Sequence, residues 1–199
     1  PQLLRLLQDP DAEIRRPAVW VLGSLGGKEA IPDVLRLLED PDAKTRRTSI
    51  EALSHLGDRS VAPRIRPFLC DVDAETRCMA IGAVSCLHDT GAIPLLLRRV
   101  TDPDDEARRL AVSVLKELDG DAALPLVLPL LEAPDGWTRR WAVDAVETLG
   151  GRAAVPRLQG LQGDPDPYVR QAALCTLARL GEKSVLPCLL ALASGPDGW

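Results

Sequence analysis

The sequence is short of aromatic residues, histidine and methionine. Of its 199 residues four are Trp, one Tyr, one Phe, one Met and two His. A compact core normally uses Phe and Tyr as bulky fillers, so Leu, Val, Ala and Ile must do nearly all of the packing. That suits many thin layers of helix better than one thick core. His55 and His88 are too few and too scattered for a metal site. The five cysteines, Cys70, Cys78, Cys86, Cys175 and Cys188, are odd in number and include no CxxC pair. A disulfide framework or zinc ribbon is therefore not expected, and a reducing, cytoplasmic setting is. Also absent are a Gly-rich phosphate loop, a G-x-S-x-G elbow, a charged-then-apolar leader, and any apolar run near the ~18 residues of a membrane helix. Nor is there a surplus of positive charge. With 29 acidic against 24 basic residues the net charge is −5, which gives no general attraction to nucleic acid or to an anionic membrane. No cofactor is implied.

What is present is a repeat. Asp11, Asp42, Asp73, Asp104, Asp135, Asp166 and Asp197 are spaced 31 apart without a gap. Four residues after the first six stand Arg15, Arg46, Arg77, Arg108, Arg139 and Arg170. Ten before the last six stand Pro32, Pro63, Pro94, Pro125, Pro156 and Pro187, and Leu25, Leu56, Leu87, Leu118, Leu149 and Leu180 keep the same register. Each unit resolves into two helices. Ile31, Val34, Leu35 and Leu38 form one apolar stripe. A DPD turn breaks the chain, its second Asp placed to cap the next helix. There Ile14, Ala18, Val21, Leu22 and Leu25 are expected on the buried side, with Gly26 as C-cap. Helices of about 12 and 15 residues with short loops make antiparallel pairs. Such a pair cannot bury its stripes alone, so neighbours must stack into a solenoid with an extended concave surface. The units run approximately 1–26 (partial), 27–57, 58–88, 89–119, 120–150, 151–181 and 182–199 (partial), one repeat domain over 1–199. The chain begins at Pro1 within half a helix, so it is expected to be part of a longer repeat protein, and its uncapped ends are expected to permit self-association.

The unit "D(P)D-x-x-(V/T)-R-x-x-A-(V/A)-x-(A/V)-L-x-x-L-G" followed by "A-(I/V)-P-x-(L/V)-L" resembles the HEAT-like repeats of phycobilisome lyases over essentially the whole chain. The resemblance implies an all-α, right-handed superhelical solenoid of about six antiparallel pairs, the second helix of each lining the concave side. It is weak evidence for function, since such repeats serve mostly as scaffolds, adaptors and inhibitors. It also implies that the Asp and Arg columns form a ladder between neighbouring units. No HE dipeptide occurs, which excludes the di-iron hydroxylases built on these repeats. There are departures. Val72 replaces the turn proline, Ala133 the first turn aspartate, and His88 and Asp119 the C-cap glycine. Gln159 and Gln162 occupy apolar columns near Gly160, which makes residues 157–163 the expected soft point.

The informative columns are those that vary on the side of the second helices facing away from the buried stripe. They hold Trp20, Trp137, Trp141 and Tyr168, the composition of a protein-binding hot spot when accompanied by arginine. The positive residues in these columns are Arg16, Lys44, Arg47, Arg109, Arg140 and Arg179. The negative ones are Glu13, Glu51, Glu75, Asp105, Glu106, Glu117 and Asp144. A phosphate track should be one-sided, so this mixed face predicts a protein or peptide partner rather than nucleic acid. The expected reading is a non-enzymatic scaffold with Trp20, Trp137, Trp141 and Tyr168 as anchors and Arg16, Arg47, Arg109 and Arg140 for orientation. Two enzymatic alternatives use the same groove. Cys78, Cys86 and Cys175 suit a bilin-lyase-like ligand handler, and Trp137, Trp141 and Asp144 on one helix face suit a HEAT-like DNA glycosylase.

Overall fold

The computed structural model describes residues 2–25, 27–118 and 123–188, which form twelve α-helices and no strand. The chain divides into two compact units, residues 1–119 and 120–199. The first contains α1 (Gln2–Leu6), α2 (Ala12–Leu25), α3 (Ile31–Arg36), α4 (Ala43–His55), α5 (Ala62–Ile65), α6 (Ala74–Cys86), α7 (Ile93–Arg99) and α8 (Asp105–Leu118). The second contains α9 (Leu124–Val127), α10 (Gly136–Leu149), α11 (Val155–Gly160) and α12 (Pro167–Arg179). Odd-numbered helices are the first members of the pairs and even-numbered helices the second.

The first helices are composites. A 3-10 turn, Lys28–Ala30, leads into α3, which tightens again into a 3-10 turn at Leu37–Glu39. The column prolines stand in the first turn of α3, α5, α7, α9 and α11, where a missing N–H leaves no hydrogen bond unmade. The second helices are continuous and capped by the second turn aspartate. Asp42 accepts from Thr45 N at 2.8 Å, Asp73 from Thr76 N at 2.9 Å, Asp104 from Ala107 N at 2.9 Å and Asp135 from Thr138 N at 2.7 Å.

In the first unit α2 packs on α4, α4 on α6 and α6 on α8; in the second, α10 packs on α12. The fully buried large side chains are all aliphatic, among them Leu38, Ile50, Leu53, Ile65, Ile81 and Leu115. Gly23 marks the closest approach of α2 to α4, since a Cβ there would lie 2.6 Å from the Ala52 Cβ.

The Arg and Asp columns form a ladder at Arg15, Arg77 and Arg139, and its partner there is the first turn aspartate, not the capping one; among the described residues Arg46 and Arg170 donate only to the carbonyls of their own turns. Arg15 Nε and Nη2 donate to Asp40 at 2.8 Å each, 25 residues on. Arg77 does the same to Asp102 at 3.0 and 2.7 Å, and Arg139 to Asp164 at 2.7 and 2.8 Å. The third guanidinium nitrogen donates to the carbonyls of its own turn: Asp9 and Pro10, Asp71 and Val72, Ala133 and Pro134. The same aspartate also receives the backbone N–H two residues on, as Asp40 does from Asp42 at 2.9 Å. One planar side chain thus closes its own turn and fixes the next, which a lysine could not do. Val72 keeps this arrangement without the turn proline.

Two expectations are corrected. Ile14 and Leu25 are not buried but 41% and 84% exposed. Thr45, Thr76, Ala107 and Val169, at the positions equivalent to Ile14, are buried and Thr138 is half-buried. In residues 157–163 α11 runs directly into the 3-10 turn Leu161–Gly163 and Leu158 is fully buried, while the column glutamines stay near the surface.

The C-cap column requires a left-handed residue. Gly57, Gly150 and Gly181 have φ of 66°, 67° and 94°, and His88 is held at 50°. Substituting His88→Gly should stabilise the fold by about 1 kcal/mol, read as a shift in the urea midpoint. Arg77→Met should cost about 3 kcal/mol, the lower end for a broken buried pair because Arg99 still donates to Asp102 at 2.9 Å. Arg109→Met, on an exposed pair within one helix, should cost less than about 0.5 kcal/mol. Burial works to raise the Asp102 carboxyl, but the hydrogen bonds and charge of Arg77, the Asp104 N–H and Arg99 together hold it low; the Arg139 hydrogen bonds hold Asp164 low. Their stabilisation is therefore complete above the unfolded carboxyl pKa, about 3.9, and lost as pH falls through the depressed folded values. Arg77→Met should flatten this acid limb.

Candidate partner-binding face

The side of the second helices turned away from the first helices forms the open face of each unit. In the first unit it holds Trp20, 60% exposed. In the second it holds Trp137 and Tyr168, 55% and 68% exposed. Trp137 and Tyr168 share the column of Glu13, Lys44, Glu75 and Glu106, all exposed. Trp141 departs from expectation and is only 6% exposed. Its column also holds half-buried Thr48, Met79 and Leu110 and buried Ala172, so it lies on the seam between neighbouring second helices, where a large indole becomes packing. The pair in WTRRW is thus split: one anchor on the open face and one core residue.

The arginines are more committed than their column suggested. Arg16 pairs with Glu13 on its own helix and lies 3.6 Å from Asp42 of the next. Arg47 reaches Asp73 at 2.7 Å and Glu75 at 2.9 Å. Both are largely covered, and they form a second, outer ladder to the capping aspartates. Arg109 pairs with Asp105 and Glu106 at 2.9 Å, and Arg140 with Asp144 at 3.4 Å, within their own helices and more exposed.

In the first unit the open face sinks into a depression of about 530 Å3 over α4, α6 and α8. Its floor is Cys78, Met79, Gly82 and Cys86 of α6. Carboxylates from Glu51, Glu75, Asp104 and Glu106 rim it, with His55 beside them and neither Lys nor Arg in the lining. Gly82 stands where the neighbouring second helices carry Glu51 and Ser113, and a Cβ added there would meet only open space. A second hollow of about 360 Å3 lies beside Trp20, lined by Glu13, Arg16, Pro17, Thr48 and Glu51. Sequence reasoning missed the first depression. Its signal was available, since Cys78 and Gly82 break their columns within one repeat.

Models of HEAT repeats match residues 1–71, 34–116, 67–147, 93–161 and 124–199. The chain belongs to the HEAT-repeat family. Among solved structures it is similar to YibA of Escherichia coli at 20% identity, covering 100% of this chain and 77% of that one, TM-score 0.68. It is similar to the CpcE–CpcF complex of phycocyanin lyase from Nostoc sp. PCC7120 at 22% identity, 96% and 80% covered, TM-score 0.54. A designed armadillo repeat protein in complex with the peptide (KR)4 matches at 19% identity, 90% and 98% covered, TM-score 0.53. No curated protein matches the sequence.

Within this HEAT-repeat frame the enzymatic constellations lose parts. Trp137, Trp141 and Asp144 do not converge on one cavity, because Trp141 is buried. Burial pushes the Asp144 carboxyl up against the opposing effect of Arg140. The Cys78 thiol is pushed up to about 11 by burial and by the Asp104 and Glu106 carboxylates, so it stays protonated at neutral pH. No described helix is long and apolar enough to cross a membrane. Alkylation by iodoacetamide at pH 8 should accordingly label exposed Cys86 at least about tenfold faster than Cys78, followed by peptide mass mapping, and the Cys78 rate should keep rising toward pH 11.

Proposed function

We propose that this HEAT-repeat chain is a non-enzymatic adaptor that binds a protein or peptide partner through the open side of the second helices in each of its two units. Trp20 serves as the anchor in the first unit, and Trp137 and Tyr168 in the second. The observation that carries this reading is the placement of these three rings, the largest exposed aromatic surface of the described residues, on that face, 55–68% exposed. The whole chain has only six aromatic residues. Large rings amid polar side chains are typical of interface hot spots. The CpcE–CpcF complex and the peptide-bound armadillo design support protein and peptide partners for solenoids of this build in general terms.

The lyase-like alternative has the CpcE–CpcF resemblance and the cysteines of the open face in its favour. Against it stands Cys78, whose protonated thiol is a poor nucleophile.

Display of random peptides on the immobilised chain, followed by binding of the selected peptides to variants, tests the proposal. Selected peptides should lose at least about tenfold in affinity on Trp20→Ala or Trp137→Ala. Leu126→Ala, on a first helix, should leave them unchanged. Peptides that bind all three variants equally would overturn it.

A further inference from the structure

The outer ladder has a gap, and the gap coincides with the depression. Asp42 accepts the Thr45 N–H and the Thr45 hydroxyl and has Arg16 of the preceding helix nearby. Asp73 accepts the Thr76 N–H and hydroxyl and is bonded by Arg47. One repeat later both partners change. Ala107 stands in place of the threonine and Cys78 in place of the arginine. Asp104 keeps the Ala107 N–H and a 3.9 Å contact from the Cys78 thiol, both on Oδ1. Its Oδ2 receives no hydrogen bond from any described residue, although a carboxylate accepts several. Glu51, across the depression, is in no ion pair with any described residue. The missing guanidinium and the missing side chain at Gly82 together leave a hollow with an apolar floor in which Asp104 and Glu51 have no ion pair among the described residues, while Glu75 and Glu106 on the rim are held by Arg47 and Arg109.

We infer that this depression receives an arginine or lysine side chain from an extended segment of the partner, which takes the place of the absent rung against Asp104. The inference rests on the open-face reading above and names the partner's chemistry. A basic side chain suits the site in both parts: its aliphatic stem lies on Met79 and Cys78 while its head meets Asp104, next to Cys78. A segment of chain fits better than a free small cation because the hollow beside Trp20 adjoins the depression and shares Glu51 with it. Neighbouring helices are about 8–10 Å apart, so an extended chain crosses one in roughly three residues. Trp20 on α2 and the floor on α6 are two helices apart, so an apolar residue about six positions from the basic one would then meet Trp20.

The test uses fluorescein-labelled peptides of three repeats of Ser-Leu-Arg or of Ser-Leu-Glu, with anisotropy read on the full chain at two salt concentrations. The arginine peptide should bind at least about tenfold more tightly than the glutamate peptide, with a preference that shrinks as salt rises. Cys78→Arg, which supplies the missing rung internally, should weaken it at least about fivefold, as should Asp104→Asn, which keeps a capping residue but removes the charge. Leu126→Ala, on the first helix α9, should change it by less than about twofold. Equal binding of both peptides, or wild-type affinity in Cys78→Arg and Asp104→Asn, would overturn the inference. If display-selected peptides of other composition are still lost on Trp20→Ala, only this inference falls. If they too ignore the open face, the adaptor reading falls with it.

Discussion

A guanidinium that closes its own turn and grips the carboxylate of the next repeat is the contact on which the rest of the structure depends. A helix pair of this length buries too little apolar surface to hold itself, and its fully buried large side chains are aliphatic, which fill space without fixing orientation. Arg15–Asp40, Arg77–Asp102 and Arg139–Asp164 supply the orientation, each with two parallel hydrogen bonds. They are buried at the turns, so they are screened little by salt, and the open side of the second helices carries the weaker outer ladder of Arg16 and Arg47.

That division of labour is what gives the molecule a usable face. The inner ladder ties α2 to the turn before α4 and α6 to the turn before α8, whereas Arg46 of α4 donates only to the carbonyls of its own turn. The outer ladder of Arg16 and Arg47 is weaker and closer to solvent, and can be omitted. Where it is omitted, at Cys78, the same step that removes a stabilising pair creates a negatively rimmed depression. A structural economy of this kind lets one repeat change its chemistry while its neighbours keep the frame.

Much of this was legible in the sequence. The 31-residue period fixed the number and pairing of helices, the Pro column marked the first turn of the first helices, and the second turn aspartate marked the caps. The ladder was legible as a pattern, but not which aspartate accepts. Columns 25 and 27 residues apart are equivalent on paper, and only the geometry of the turn brings Asp40 rather than Asp42 to Arg15. Trp141 misled because column variability was read as exposure. It sits one turn from Trp137, on the seam, and a helix face is only about 100° wide per side. The depression was missed because the mixed charge of the face was summed over all repeats. Summation hides that Arg16, Arg47 and Arg109 are held by neighbouring carboxylates, while α6 contributes no basic side chain at all to the lining.

The most direct test of this account is the coupling between positions 78 and 104 in fold stability, measured as urea unfolding of Cys78→Arg, Asp104→Asn and the double variant. If Cys78 is a missing rung, Cys78→Arg should raise stability by about 0.5–1 kcal/mol, and Asp104→Asn should abolish the gain. A Cys78→Arg chain that is destabilised, or equally stabilised with and without the Asp104 carboxylate, would contradict the account.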